Sequence, residues 1–463
     1  MMKITVEVRS LAGNLVWGPS EVAPTTDVGL LKRMLGLRAN RHQFGTHAYL
    51  LLDSRKLKDD DFLNSNLSGP QTSPLLLTLV WSRETYGVVT WGLGTHGGDS
   101  SARVEDLSSG IIAVQGNAGA FTAIKDGGGV VTWGNPSYGG GNLVEKQLTS
   151  GVIEVRGFYR AFAALRDDGS VVAWGDPNLG GDCSAVQQQL RAGVTSIHGN
   201  AGAFAAIKED GSVVTWGKLM YGGDSSAVAD QLAGGVVAIR GYAAFAALKQ
   251  DGSVVTWGNG EHGGDSSTVA EHLASDVIAV HSNAGAFAAV KSSGRVITWG
   301  WDVLGGDSSA VAEELTHGVC SVYRTAGAFA ALKDTGAVVT WGRAMRGADS
   351  SAVAEQIASG VTSVTGTSAA FAALKTEGQV VTWGGKELGG DSRKVAGQIS
   401  HGVVSIQSSS GAFAASKADG QVVTWGHANA GGDSNLVADQ LSSGVVMVCN
   451  GGSAFAALRP MST

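Results

Sequence analysis

The sequence predicts a mainly β chain: a small α+β segment over residues 1–82, then nine three-stranded repeats of about 42 residues over 84–463. Three observations predict it. In the second part Trp-Gly pairs recur at Trp91, Trp133, Trp174, Trp216, Trp257, Trp299, Trp341, Trp383 and Trp425, spaced by 41 or 42 residues. Ala-Phe segments recur in phase with them from Phe121 to Phe455, each Phe but the last standing 12 residues before a Trp. Gly is abundant, at 69 of 463 residues, while Pro is scarce at 7 and no Gly-X-Y period exists, the composition of turn-dense β repeats. A fixed period of this length means a stacked or circular array, because one unit cannot bury its own apolar faces.

In the first segment Ile4, Val6 and Val8 alternate with polar residues, as a half-buried strand requires. Residues 14–22 give a second strand, and Thr25-Thr26-Asp27 offers caps for a helix through Leu30, Leu31, Met34 and Leu35. Residues 47–52 and 73–81 are further strands, separated by a polar connection at 55–63 anchored by Leu57 and Leu63. This β-β-α-β-β order, with Met2-Lys-Ile-Thr-Val6 at its start and Leu50-Leu-Leu-Asp-Ser-Arg-Lys-Leu-Lys-Asp59 in its middle, resembles the ubiquitin-like β-grasp fold. The resemblance implies a partner-binding apolar patch on the third strand at Leu51, with Tyr49 two residues back on the same face; local packing is the alternative use of both. After Trp81 the chain reads Ser-Arg-Glu-Thr, without the Gly-Gly that conjugation requires, so a fixed docking module is expected.

Each repeat supplies a strand of the Gly-Val-Val-Ala-Ile type (235–239, 402–406), one of the Ala-Phe-Ala-Ala-Leu-Lys type and a Val-Val-Thr-Trp strand. Asp-Gly joins the last two at Asp168-Gly169, Asp210-Gly211, Asp251-Gly252 and Asp419-Gly420, a hairpin signal because the turn needs positive φ. Both faces of these strands are apolar, so each sheet is expected between neighbours, with the nine Trp as structural residues. The connection Gly-Gly-Asp-Ser-Ser-x-Val-x-x-x-Leu (222–232, 263–273) places Asp224 and Asp265 as caps of a short helix or turn. Eight of nine units carry this Asp and the ninth has Asn142, itself a cap residue. A metal ring is the competing reading of these acids, but the ligands are too dispersed; no metal and no cofactor is expected.

The array opens on a third strand (86–92) and stops after a second (454–459), so pairing the two would complete a ninth sheet and remove two exposed edges. The Gly-x-Val-x-Thr-Trp-Gly hairpin after an Ala-Leu strand resembles the repeat of the regulator of chromosome condensation family. HERC-type ubiquitin ligases and a bacterial β-lactamase inhibitory protein share that repeat. The resemblance implies a β-propeller, nearest the inhibitory protein's three-stranded blades. Propellers usually have about four to eight blades, so an open superhelical array is the alternative to nine-blade closure. Two family activities come with the resemblance: nucleotide exchange on a small GTPase, and substrate recognition in a ubiquitin ligase pathway. No catalytic ligase segment follows the repeats in this sequence.

Composition narrows the function. Residues 84–463 hold 23 Lys and Arg against 33 Asp and Glu, which disfavours the broad basic footprint that nucleic acid needs. No window approaches the ~20 apolar residues of a membrane helix, and the charged start is a poor signal peptide. Three cysteines without a Cys-x-x-Cys pair fit a reduced cytoplasmic setting, the nucleus being the alternative. A monomer is expected. Histidines recur at no fixed repeat position and no Gly-rich loop carries Lys-Ser/Thr, so no catalytic residue is assigned and no enzyme is expected. The copies differ most in the four residues after each Trp-Gly. Those loops contain Tyr138, Tyr221, Trp301 and Arg346, residue types favoured at interface hot spots, together with His96 and His262. Arg160 stands where other repeats have Gly, Ala or Ser. The expectation is a non-catalytic scaffold whose variable loops hold a protein partner.

Overall fold

In the computed structural model, backbone pairing is described for residues 4–10, 15–22, 46–52, 55–56 and 75–83, and side chains as well for 85–141 and 144–460. The chain divides into two compact units, Met1–Thr85 and Tyr86–Thr463.

The first unit carries β1 (Ile4–Ser10), β2 (Leu15–Val22), β3 (Thr46–Leu52), β4 (Arg55–Lys56) and β5 (Leu75–Arg83). They form one sheet in the order β2-β1-β5-β3-β4. β1 and β5 run parallel, Val6 opposite Leu75 and Val8 opposite Leu77, and the flanking pairs are antiparallel. Arg55–Lys56, expected within a connection, pairs back on Leu51 and Leu52 instead. The helix expected through Leu30 and Leu35, and the anchors Leu57 and Leu63, lie outside the described residues.

The second unit is a succession of three-stranded antiparallel sheets, two of them joined by a single bridge into a six-stranded sheet, and they do not merge into a continuous barrel. Numbered along the chain, sheet 1 contains the strands 111–116, 120–125 and 130–134, and sheet 8 the strands 403–408, 412–417 and 422–426. Sheet 9 is built from both ends of the array: Ala454–Pro460 lies between Met447–Asn450 and Tyr86–Gly92. Phe455 there opposes Trp91, and a single Tyr86–Ile111 bridge leads on to sheet 1. The expected pairing of the two array ends is therefore present.

Packing explains why Phe and Trp recur. In each sheet they are direct cross-strand partners, as Phe245 and Trp257 are in sheet 4, and their ring centroids lie 5.2–5.4 Å apart in all nine. The nine Phe side chains are the largest fully buried groups, and the alanines flanking them have essentially no exposure. Small residues there let neighbouring sheets approach while the aromatic pair fills the gap.

Each Trp also ties its sheet to the one before. The Trp257 indole N–H donates to the Gly222 carbonyl at 3.0 Å, and the other eight make the equivalent bond at 3.0–3.2 Å. Trp91 makes its bond with Gly431, 340 positions away in the chain. Gly222 has φ +89°, and a Cβ there would come within 2.9 Å of Phe245. Only glycine meets both demands.

Two local expectations are refined. The Asp-Gly turn places positive φ on glycine alone, at +75° for Gly211, and the pair of bonds Gly211 N–H to Lys208 and Lys208 N–H to Ser212 marks a three-residue loop with a bulge. The Asp of the connection acts one residue before the expected cap position. Asp224 Oδ1 accepts the Ser226 amide at 2.9 Å, and the other seven do likewise at the first residue of a 3₁₀ turn. Asn142 lies outside the described residues.

These capping bonds lower several of the carboxyl pKa values, the Ser226 amide being the first cause at Asp224 and the Arg393 side chain at Asp391, which is brought to about 2. A depressed folded-state pKa contributes stability that is present above the unfolded value and lost as pH falls through the folded one. The melting temperature should thus hold from pH 7 to 5 and decline below about pH 4. Thermal melts across that range check it, and a flat profile down to about pH 2 would exclude the carboxylates as contributors.

Candidate functional site

The variable tetrapeptides fold as short 3₁₀ turns at the end of each third strand, such as Pro136–Tyr138, Leu219–Tyr221 and Asp302–Leu304. The hairpin joining first and second strands lies beside each of them. A side chain at the end of the first strand bonds the last carbonyl of the turn: Asn117 Nδ2 donates to Tyr138 at 2.7 Å and Thr325 Oγ1 to Arg346 at 2.7 Å. Turn and hairpin thus form one rim.

The rim is linked from sheet to sheet by backbone bonds between hairpins. Ala326 N–H donates to Ser368, Ser368 to Ser410, Ser410 to Gly452, and Gly452 to Asn117 across the junction of the chain's two ends. Among the described residues these links are missing only from the sheet 2 hairpin onto sheet 3 and from the sheet 4 hairpin onto sheet 5. At those places stand Phe158-Tyr159-Arg160 and Tyr242-Ala243. Tyr159 takes φ +41°, one of two non-glycine residues with positive φ among the described residues, and is 42% exposed. Backbone strain of this kind concentrates at functional positions.

Two groups of predicted residues come together here. His96 and Tyr138 lie with ring centroids 6.0 Å apart, and the Arg160 guanidinium sits 4.9 Å from the Tyr138 ring and 5.5 Å from that of Tyr159. Arg160 also reaches Asp176 at 4.0 Å. In the other group Trp301, 49% exposed, stands edge-on to His262 at 5.3 Å, and His262 is held by Asn259 at 2.9 Å. Tyr221 lies between the groups, packed over Gly202 with Lys218 above its ring at 5.5 Å. Tyr138 packs over Gly119 in the same manner, so both tyrosines also have a local packing role. Arg346 stands apart and donates to the Ser368 carbonyl at 3.1 Å. Tyr49 and Leu51 are on β3 of the other unit.

Sequence reading missed Tyr159 and Tyr242. Tyr242 stacks edge-on against Phe158 at 6.2 Å, reaching past sheet 3 to do so, and its pKa is raised first by burial and then by Tyr159. Both could have been found where the hairpin residues depart from the Asn-Ala-Gly type.

Little else singles out a site. Cavities recur at equivalent places between successive connections, as at Pro177–Gly223 and Asp302–Asp349, and so follow from the repeat. Among the described residues no group of three or more His, Cys, Asp or Glu is placed to hold a metal. Cys183, Cys320 and Cys449 are all free thiols, and burial pushes Cys449 up to about 12. Among the described residues no helix is long and apolar enough to cross a membrane.

No family model matches the chain, and no curated protein matches it. Solved structures do. Yeast RCC1 (Prp20), crystallised with Kap60, is 13% identical over 82% of this chain and 90% of its own, with a TM-score of 0.39. Prp20p from Saccharomyces cerevisiae, described with its binding properties to Gsp1p and histones, is 12% identical over 82% and 93%, also at 0.39. The computationally designed Ika8 protein is 15% identical over 68% and 96%, at 0.34. None of these carries an activity or a partner over to this chain.

Proposed function

We propose that the chain is a non-catalytic interaction scaffold: a nine-bladed propeller of three-stranded blades whose rim holds a protein partner, fused to a ubiquitin-like docking domain. The observation that carries it is the aromatic and cationic arc from His96 and Tyr138 through Tyr159, Arg160 and Tyr242 to Trp301, set in an array whose repeats are otherwise nearly identical. Exposed Tyr and Trp beside Arg is the composition of an interface hot spot. Rigid sheets beneath, each bonded to its neighbour, hold the arc ready without ordering cost on binding. The end-to-end pairing of Ala454–Pro460 with Tyr86–Gly92 supports closure of the propeller, and the β2-β1-β5-β3-β4 order with its parallel central pair supports the docking domain.

The test is capture from lysate of the cells that make the protein, comparing wild type with a Tyr159→Ala/Trp301→Ala variant. Two hot-spot losses of about 2 kcal/mol each would weaken the complex by more than roughly a hundredfold. Capture that survives the double change and disappears on removing residues 1–82 would defeat the rim reading. A captured small GTPase whose nucleotide release is accelerated would move the protein to the exchange-factor class instead.

A further inference from the structure

The first strands of successive sheets lie against one another, so that together they form the inner wall of the array. Close approach is visible in the atoms: a Cβ on Gly157 would stand 2.6 Å from the Gly116 carbonyl of the preceding sheet, and Thr365 Oγ1 donates to Ile406 of the following one at 3.2 Å. One register position on this wall runs Gln115, Arg156, His198, Arg240, His281, Tyr323, Thr365, Gln407, Cys449, as each residue's pairing with the second strand shows. Four consecutive members are basic, and Arg324, next to Tyr323, extends the run to sheet 6.

The run is short of counter-charge. Arg156 pairs with Glu154, the only acidic side chain on the first strands of these sheets among the described residues. Among the described residues Arg240 bonds only the Ile239 carbonyl, at 2.9 Å. The Arg324 side chain makes no hydrogen bond or ion pair among the described residues. His198 touches Ser196 Oγ at 3.2 Å, and His281 Nε2 is buried with no hydrogen-bond partner among the described residues. The histidines respond to these surroundings. Burial first, and then Arg240 and Arg156, push His198 down to about 4, and burial followed by Arg240 and Arg324 does the same to His281. Arg324 is lowered by burial first although its side chain is solvent-accessible.

We propose that this arc of the inner wall, Arg156, His198, Arg240, His281 and Arg324, is a binding site for a small anion carrying two or more phosphate-type groups. Guanidinium groups on alternate first strands, with only Arg156 paired to a carboxylate among the described residues, repel one another, and an anion bridging two of them removes that repulsion while filling their donors. His281 Nε2 supplies a further bond from a neutral ring, in whichever tautomer carries the proton there. Size selects the ligand. The array around the wall is acidic overall and repels a long polyanion, whereas a diphosphate needs only the wall itself.

Sodium pyrophosphate titrated into the full chain by calorimetry, at low salt and pH 7, should give saturable binding at one site per chain. Arg240→Gln and Arg324→Gln should each weaken it at least roughly tenfold, as expected for losing one charge-assisted contact. Arg346→Gln, on the rim, should leave it unchanged. Absence of saturation, or equal affinity in a folded Arg240→Gln/Arg324→Gln double variant, overturns the site. Should that variant not fold, proton NMR of the wild-type histidines decides: two ring resonances must shift with pyrophosphate, and unmoved spectra overturn the proposal. Neither outcome depends on whether the rim binds a protein.

Discussion

Trp257→Ala should lower the unfolding free energy by roughly 3–5 kcal/mol. Trp257 is 5% exposed, stacks on Phe245 at 5.2 Å and donates its indole N–H to Gly222. Truncation therefore does three things at once. It leaves a cavity between sheets 3 and 4, removes an aromatic pair, and orphans a carbonyl on the neighbouring sheet. The last separates this Trp from an ordinary core residue, because the cost falls on the junction between repeats. Trp257→Phe keeps most of the packing and should cost only about 1–2 kcal/mol, chiefly for the lost hydrogen bond. Urea titration of both variants measures the difference. A Trp257→Ala cost below about 1 kcal/mol would mean the indole is replaceable and that the junctions are held elsewhere.

What could be read beforehand follows from the period. Eight copies of Phe and Trp twelve residues apart leave little freedom, since the short glycine turn between them fixes their register and puts Phe opposite Trp. The indole bond was not legible, because its acceptor is a backbone carbonyl, 35 or 36 residues upstream for eight of the nine Trp, and carbonyls leave no trace in sequence. The eight acidic caps were legible to within one residue, as Asp in a Gly-Gly-Asp-Ser segment has few local uses besides accepting a nearby amide. The rim was found only where whole tetrapeptides differ. Tyr159 and Tyr242 sit in hairpins that otherwise look uniform, and the basic run on the inner wall is spread over strands about 42 residues apart. A column-by-column comparison of first strands would have shown it, since Val155, Ile197 and Ile239 hold constant beside the changing Arg156, His198 and Arg240.

Deleting residues 452–460 should reduce the thermal stability of the whole second unit, by at least roughly 10 °C on the scaling of melting temperature with stability. The segment is the middle strand of sheet 9, and its removal strips Tyr86–Gly92 of its seven partners, exposes Trp91 and takes away the fully buried Phe455. It also severs the 2.6 Å bond from Gly452 to Asn117. In a linear array each repeat contacts only its neighbours, so trimming one end costs a single interface and the remainder melts as before. Sheet 9 packs against both sheet 8 and sheet 1, so its loss costs two interfaces and creates two open sheet edges. Calorimetry of the deletion, beside a control lacking only residues 461–463, separates the two geometries. One main transition unchanged in both proteins would show that the ends are paired without consequence. A lowered, broadened transition in the long deletion alone would show that the array is stable because it closes.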